Sequence, residues 1–491
     1  MNHVRTPQSR CRFSLVWGDI TPPPDIYHRM WGAAKHERAT GIHRPLRATV
    51  AAFAAASSTE PYDELQIVLS PDHCVLGAVE HEQLVSRLTK ATGQPRETFL
   101  VVFSHTHAAG LMGLERASLP GGDLIPGYLR RVGERATELV NEALGNLAPA
   151  DIVYGTGHCN LAANRDFFDA ATGQFVCGYN PSASADDTVL LARVTDPGGR
   201  LLATVVNYAC HPTTLAWDNT LISPDYIGAL REVVERETGG PCLFLQSASG
   251  DLGPVEGYVG DPAVADRNGR QLAYAALSTL TALPVAGTRF RYTGPVVSGA
   301  TLGAWAHEPL SAEALAAATR WQLWRWHEPL PYRSPDASGQ AAQVEAELKQ
   351  FQAEEKAAHA AGNPSRAAEC RAMAERKTRL LHRLSHLPPG ETFPLQIALW
   401  RMGDAFWLGV QGEFYSVFQT ELRRRFPGAP IVIATLAADW GASYLPSRET
   451  YGKGIYQETI AVVAPGGLEQ VMESVAKRIE HSLQEAPSPT S

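Results

Sequence analysis

The chain has 491 residues, 44% hydrophobic and 19% charged, which excludes a disordered or fibrous protein and suffices for a large buried core. Its 51 acidic and 43 basic residues leave a formal charge of −8, which argues against a nucleic-acid binder, because phosphate contacts call for a basic surface. No apolar run approaches the ~20 residues needed to cross a bilayer.

Seven cysteines (Cys11, Cys74, Cys159, Cys177, Cys210, Cys242 and Cys370) are scattered and never form a CxxC pair. They spell neither a disulfide framework nor a cysteine zinc knuckle. The opening MNHVRTPQSRCRFSLVWGD lacks an apolar signal core. The expectation is a reduced, cytoplasmic protein.

In chain order, residues 1–12 read as a flexible N-terminus. Short apolar runs then read as buried strands: LQIVLS (65–70), FLVVFS (99–104), DIVYG (151–155), VLLARV (189–194), LLATVVNYA (201–209) and CLFLQS (242–247). Helical patterns lie between them, among them HEQLVSRLTKAT, IPGYLRRVGERATELVNEAL and IGALREVVERE. Strands alternating with helices predict an α/β fold with a mixed, largely covered sheet.

From about Ser311 to Leu387 the chain turns rich in Ala, Glu, Gln, Lys and Arg, broken at Gly362-Asn363-Pro364-Ser365. This predicts an inserted hairpin of two long helices. It reads first as a structural arm or a contact between copies of the chain. The alternative is a lid, with Trp321, Trp324, Trp326, His327 and Tyr332 at its base. Further strands are predicted over 395–410 and 431–437, a last helix from Gly467 to Leu483, and a frayed tail over 485–491.

Chemistry concentrates at strand exits, where ligands of open α/β sheets bind. Ser104-His105-Thr106-His107 ends one strand, and on extended backbone its two imidazoles share a face one pleat apart. His211 follows LLATVVNYAC, and Glu413 ends FWLGVQGE, where a carboxylate is costly unless exposed, paired or metal-bound. The turn Ser247-Ala248-Ser249-Gly250-Asp251 offers N–H groups to an anion. Taken singly, each has an ordinary structural explanation as a loop histidine, a turn former or a packing tyrosine.

Their order carries more. WGDITPPP, LQIVLSPDHCVLG, SHTHAAG, NRDFF, NYACHPTTL, SPDYIG, FLQSASGDLGP, VQGEF and YLPSRETYGKGIYQ follow one another from about Phe13 to His481. In this the chain resembles the neutral/alkaline ceramidase family. The resemblance implies a catalytic domain over 13–484, and the chain is expected to depart from the family in having no C-terminal immunoglobulin-like domain. It implies a zinc amidase, one Zn2+ per chain, whose metal ligands fall on His105, His211, Glu413 and Tyr444. Also implied are His107 facing the scissile carbonyl as acid/base, Tyr456 near the carbonyl oxygen, and Arg165 of Asn164-Arg165 in the site.

The chain departs from that pattern at Gly250-Asp251-Leu252-Gly253-Pro254, where the family commonly reads GDVSPN. Glycine replaces the serine, which removes a serine nucleophile there and favours metal-activated water. Ser247 and Ser249 read as turn formers. The expected activity is hydrolysis of a C–N amide bond in a small-molecule N-acyl substrate smaller or more soluble than ceramide. The alternatives are a metallo-esterase or lactonase, and a metal-retaining binding protein without catalysis.

Overall fold

The computed structural model describes residues 2–57, 64–334 and 337–485. Two sheets stack face to face. The larger comprises β1 (Gln8–Asp19), β2 (Arg47–Ala55), β3 (Gln66–Pro71), β4 (Phe99–Val101), β5 (Ala148–His158), β6 (Thr188–Thr195), β7 (Leu201–Tyr208) and β8 (Cys242–Gln246). Its eight strands run in the order β8-β7-β6-β5-β1-β2-β3-β4. The pairs β7–β8 and β3–β4 are parallel and the other pairs antiparallel. This is the mixed sheet the sequence predicts.

The smaller sheet holds β9 (Trp321–Pro331), β10 (Thr392–Met402), β11 (Ala405–Val410) and, beyond the short β12 (Glu413–Phe414), β13 (Ile431–Ala434), in the order β9-β10-β11-β13. Facing side chains of the two sheets, among them Phe13, Phe53, Tyr154, Trp400 and Trp407, form one apolar layer. The Phe53 and Trp407 rings lie 5.0 Å apart, and the Trp407 indole donates to the Tyr154 hydroxyl.

Helices close both outer faces. On the larger sheet lie α1 (Ala78–Thr92) and α2 (Ile125–Gly145), burying Leu84, Leu88, Tyr128 and Leu139, and then α3 (Tyr226–Thr238) and α4 (Pro262–Ala282). The smaller sheet is covered by α7 (Val417–Arg425) and α8 (Gly467–Gln484), after the hairpin helices α5 (Ala337–Ala360) and α6 (Pro364–Ser385). Among the described residues no helix is long and apolar enough to cross a membrane.

The N-terminus departs from expectation. Residues 8–12 belong to β1 in the middle of the larger sheet, so flexibility does not extend to residue 12. Gln8 and Ser9 are buried, with Gln8 Nε2 donating to the Thr288 carbonyl and Ser9 Oγ bonded to the Met402 carbonyl. Polar residues that a sequence reading assigns to water are here satisfied by distant backbone.

The inserted hairpin is shorter than predicted. Trp321–Pro331 is strand β9, paired along its length with β10 (Trp324↔Leu399, Trp326↔Ile397), so the tryptophans belong to a sheet and not to a lid base. Aromatic residues alternating with polar ones favour a pleated surface over a helix. The hairpin proper, α5 and α6, turns at Gly362 (φ +66°), and Asn363 caps α6 by accepting the Arg366 N–H. Pro364 follows at the first helical position, where its missing N–H costs nothing. The tail residues 486–491 lie outside the described residues.

Candidate active site

Opposite sides of the larger sheet supply the histidines. His105 follows edge strand β4, and His211 follows β7 at the other side. The stretch after β13 bridges them: Thr435 N–H donates to the Gln246 carbonyl at the end of β8, and Ala437 forms a bridge with Val102 just past β4. Asn207, buried on β7, exchanges hydrogen bonds with Ile433 of β13 and fixes the two sheets in register. Glu413 of β12 then pairs in register with Tyr444 of β14 (Tyr444–Leu445) directly beside this junction.

His105 does not sit on extended backbone. Its φ of +68° is left-handed, a conformation costly for a residue with a side chain, and strain of this kind concentrates at functional sites. The expectation of two imidazoles one pleat apart therefore gives way to a kink that turns the His105 ring toward His211. His105 Nε2 and His211 Nε2 are 3.0 Å apart, and Glu413 Oε2 lies 3.3 Å from the first and 3.0 Å from the second. Tyr444 OH stands 3.2 Å from His211 Nε2, and His107 Nε2 stands 3.4 Å from His105 Nε2.

Their other atoms are already committed. His105 Nδ1 donates to the Cys74 carbonyl at 2.8 Å and His211 Nδ1 to the Ser249 carbonyl at 2.7 Å. Trp440 Nε1 donates to Glu413 Oε1 at 2.7 Å, leaving Oε2 for the histidines. Carbonyl acceptors at Nδ1 leave lone pairs at both Nε2 atoms, which face each other and a carboxylate oxygen in a buried pocket. Such a set is repulsive without a cation at its centre, and outer partners of this kind orient metal-binding histidines. Two imidazoles, a carboxylate and an adjacent phenol are donors that zinc accepts.

Electrostatics agree with one positive charge at the centre. Burial works against a charged His105, but Cys74 and Glu413 outweigh it and hold its pKa well above the ordinary range. Glu413 is held well below the carboxylate range, its burial penalty overcome by His105 and His211. His211 is pushed down to about 3 by burial and by Arg165, and His107 falls well below the imidazole range through burial and the two neighbouring histidines.

Arg165, fully buried, donates through Nη2 to Tyr444 OH at 3.0 Å and to the Gly250 carbonyl at 2.7 Å, so it positions the tyrosine. Tyr456 is 43% exposed and lines the same cavity, its ring 6.1 Å from that of Tyr444. The residues named from the sequence thus meet in one place.

The 247–251 turn is not an anion cradle. Three of its five N–H groups are taken: Ser247 by the Tyr208 carbonyl, Ala248 by Gln419 Oε1 and Gly250 by the Phe414 carbonyl. Its role is to brace the site. Ser249 orients His211, and Asp251 accepts from Ser416 N and Oγ just beyond Glu413. A Cβ at Gly250 would come within 2.9 Å of the Glu413 and Phe414 carbonyls, so this close approach requires glycine. Ser247 Oγ is hydrogen-bonded to Gln419 and Ser249 Oγ to Gln246, consistent with turn formers.

Sequence reasoning missed Trp440, the Cys74 carbonyl and the cavity wall. The cavity, about 630 Å³, is lined near the histidines by Trp31, Trp217 and Tyr258, with the Trp31 ring 5.3 Å from His107. Its far wall is α6, which contributes Met373, Leu380 and Arg383. The hairpin therefore packs over the cavity of its own chain. The only signal in the sequence was proximity, since Trp440 precedes Tyr444 by four residues and Cys74 lies within the LQIVLSPDHCVLG motif.

No protein-family model and no curated protein sequence matches the chain. Solved structures do. A ceramidase complexed with C2 matches with a TM-score of 0.64 and 16% identity, over 99% of this chain and 77% of that one. A neutral ceramidase from Pseudomonas aeruginosa matches with a TM-score of 0.62 and 17% identity, over the same shares of each chain. The resemblance read from the motifs holds at the level of architecture, and this chain has a neutral-ceramidase-like fold.

Proposed function

We propose that the chain is a zinc-dependent hydrolase that cleaves the C–N bond of an N-acyl amide. The observation that carries this reading is the pair of Nε2 lone pairs converging with a carboxylate at the floor of a partly apolar cavity. The fold shared with ceramidases supports amide chemistry over other acyl transfers.

His105, His211 and Glu413 would hold the zinc, with Tyr444 beside them; when bound, zinc supplies an ionised water at neutral pH and polarises an acyl carbonyl. His107 is kept neutral, so its Nε2 accepts a proton from the attacking water and returns it to the leaving nitrogen. Arg165 holds the Tyr444 hydroxyl in place. Tyr456, at the cavity mouth, donates to the carbonyl oxygen as negative charge develops there. Met30, Trp31, Leu111 and Met112 offer the acyl group an apolar wall.

The test is a panel of acyl amides and matched esters assayed with the zinc-loaded protein. Higher kcat/KM on the amides supports the reading. Turnover confined to esters, or no turnover of either by a protein that holds zinc at this site, overturns it.

A further inference from the structure

Three of the six Lys and Arg side chains that line the cavity have an acid beside them. Arg379 and Arg116 share Glu375, and Lys377 pairs with Glu347. Arg383 of α6 differs. It is 6% exposed, and no carboxylate among the described residues lies within ion-pair distance. Nη1 donates to Ser443 Oγ at 2.6 Å, while among the described residues Nη2 has no acceptor and Nε is buried without a partner. Other buried arginines without a carboxylate direct their N–H groups at backbone carbonyls, as Arg401 does at Ser482 and Gly403 and Arg165 at Gly250.

Burying a guanidinium without a counter-charge is unfavourable. Arg383 retains that charge in a ligand cavity, and near the chemistry: its guanidinium lies 4.7 Å over the Trp440 ring, whose indole N–H holds Glu413. A guanidinium edge with two free N–H groups matches a carboxylate.

We propose that Arg383 binds a carboxylate carried by the substrate, so that the amides cleaved here are anionic, of the N-acyl amino acid class. This rests on the amidase reading for its chemistry, but the binding half stands apart from it. The apolar wall takes the acyl chain, and the incoming carboxylate supplies the counter-charge that the fold withholds from Arg383.

The experiment compares N-octanoylglycine with N-octanoylethanolamine, which replaces the carboxylate by a neutral alcohol, in the zinc-loaded protein. Binding by calorimetry and turnover are both recorded for wild type, Arg383→Gln and Arg383→Lys, with zinc content checked in each. Wild type is expected to favour the glycine compound by at least about 30-fold, the scale of a charge-assisted hydrogen-bonded pair. Arg383→Gln should bring that ratio close to unity, and Arg383→Lys, which keeps the charge without the fork, should retain part of it. Equal handling of the two compounds by wild type, binding of neither, or a preference that survives in Arg383→Gln overturns the proposal. If Arg383→Gln does not fold, a full preference in Arg383→Lys overturns the fork-specific role, and a partial loss supports it. Arg383-dependent binding without cleavage of either compound sustains the carboxylate site and removes the amidase reading instead.

Discussion

His105 and His211 present Nε2 atoms to each other at 3.0 Å, and each has its Nδ1 proton tied to a backbone carbonyl. The arrangement suits a cation and little else. Replacing either ring with alanine leaves one imidazole, a carboxylate and the neighbouring Tyr444 phenol, too weak a set to retain zinc. His105→Ala and His211→Ala are each expected to lose both metal and turnover, measured by elemental analysis and amide hydrolysis. Full zinc content in either variant would contradict the assignment.

Trp440 tests the outer layer of the site. Trp440→Phe keeps a ring beneath Arg383 but removes the N–H that holds Glu413 Oε1. Zinc affinity should fall about 10–100-fold, as for other outer partners of metal ligands. Competition against a chelator measures this, and unchanged affinity would show that the indole does not position the carboxylate.

His107 separates metal binding from proton transfer. His107→Gln is expected to keep about one zinc per chain while kcat drops about 10²–10⁴-fold, the usual range for a lost acid/base. Loss of zinc in this variant would make His107 a ligand. Unchanged turnover would remove it from the mechanism.

Glu375 of α6 fastens the hairpin to the body of the protein through Arg116, and Arg379 of the same helix is its second partner. Burial alone would raise its pKa, but the two arginines prevail and bring it from 4.5 down to about 2. A carboxyl shifted down stabilises the fold fully above pH 4.5 and loses that contribution as pH falls toward 2. The shift corresponds to about 3 kcal/mol. Glu375→Gln should therefore be less stable than wild type by about that amount at pH 7, and by about half as much at pH 3. Urea denaturation across this range measures the difference, and a deficit that does not change with pH would contradict it.

Much of this was legible in the sequence, for physical reasons that also mark its limits. Strands such as Leu201–Tyr208 and Cys242–Gln246 are buried on both faces and so appear as unbroken apolar runs. Gln8–Asp19 carries polar residues whose partners are remote in the chain, and local pattern does not reveal it. Trp321–Pro331 was drawn into a helical reading by the Ala- and Glu-rich residues that follow it. Motif order named His105, His107, His211, Glu413 and Tyr444, yet not the kink at His105, whose N–H is held by the carbonyl of His73, 32 residues earlier. Trp440 and Arg383 act through a contact between segments nearly 60 residues apart, and no local pattern encodes it.

The central claim is that one zinc ion sits among three named side chains. Anomalous diffraction recorded above and below the zinc absorption edge, from crystals of zinc-supplemented protein, tests it most directly. A single strong peak per chain is expected within coordination distance of His105 Nε2, His211 Nε2 and Glu413 Oε2. A protein that takes up no zinc, or a peak located elsewhere in the chain, would contradict it.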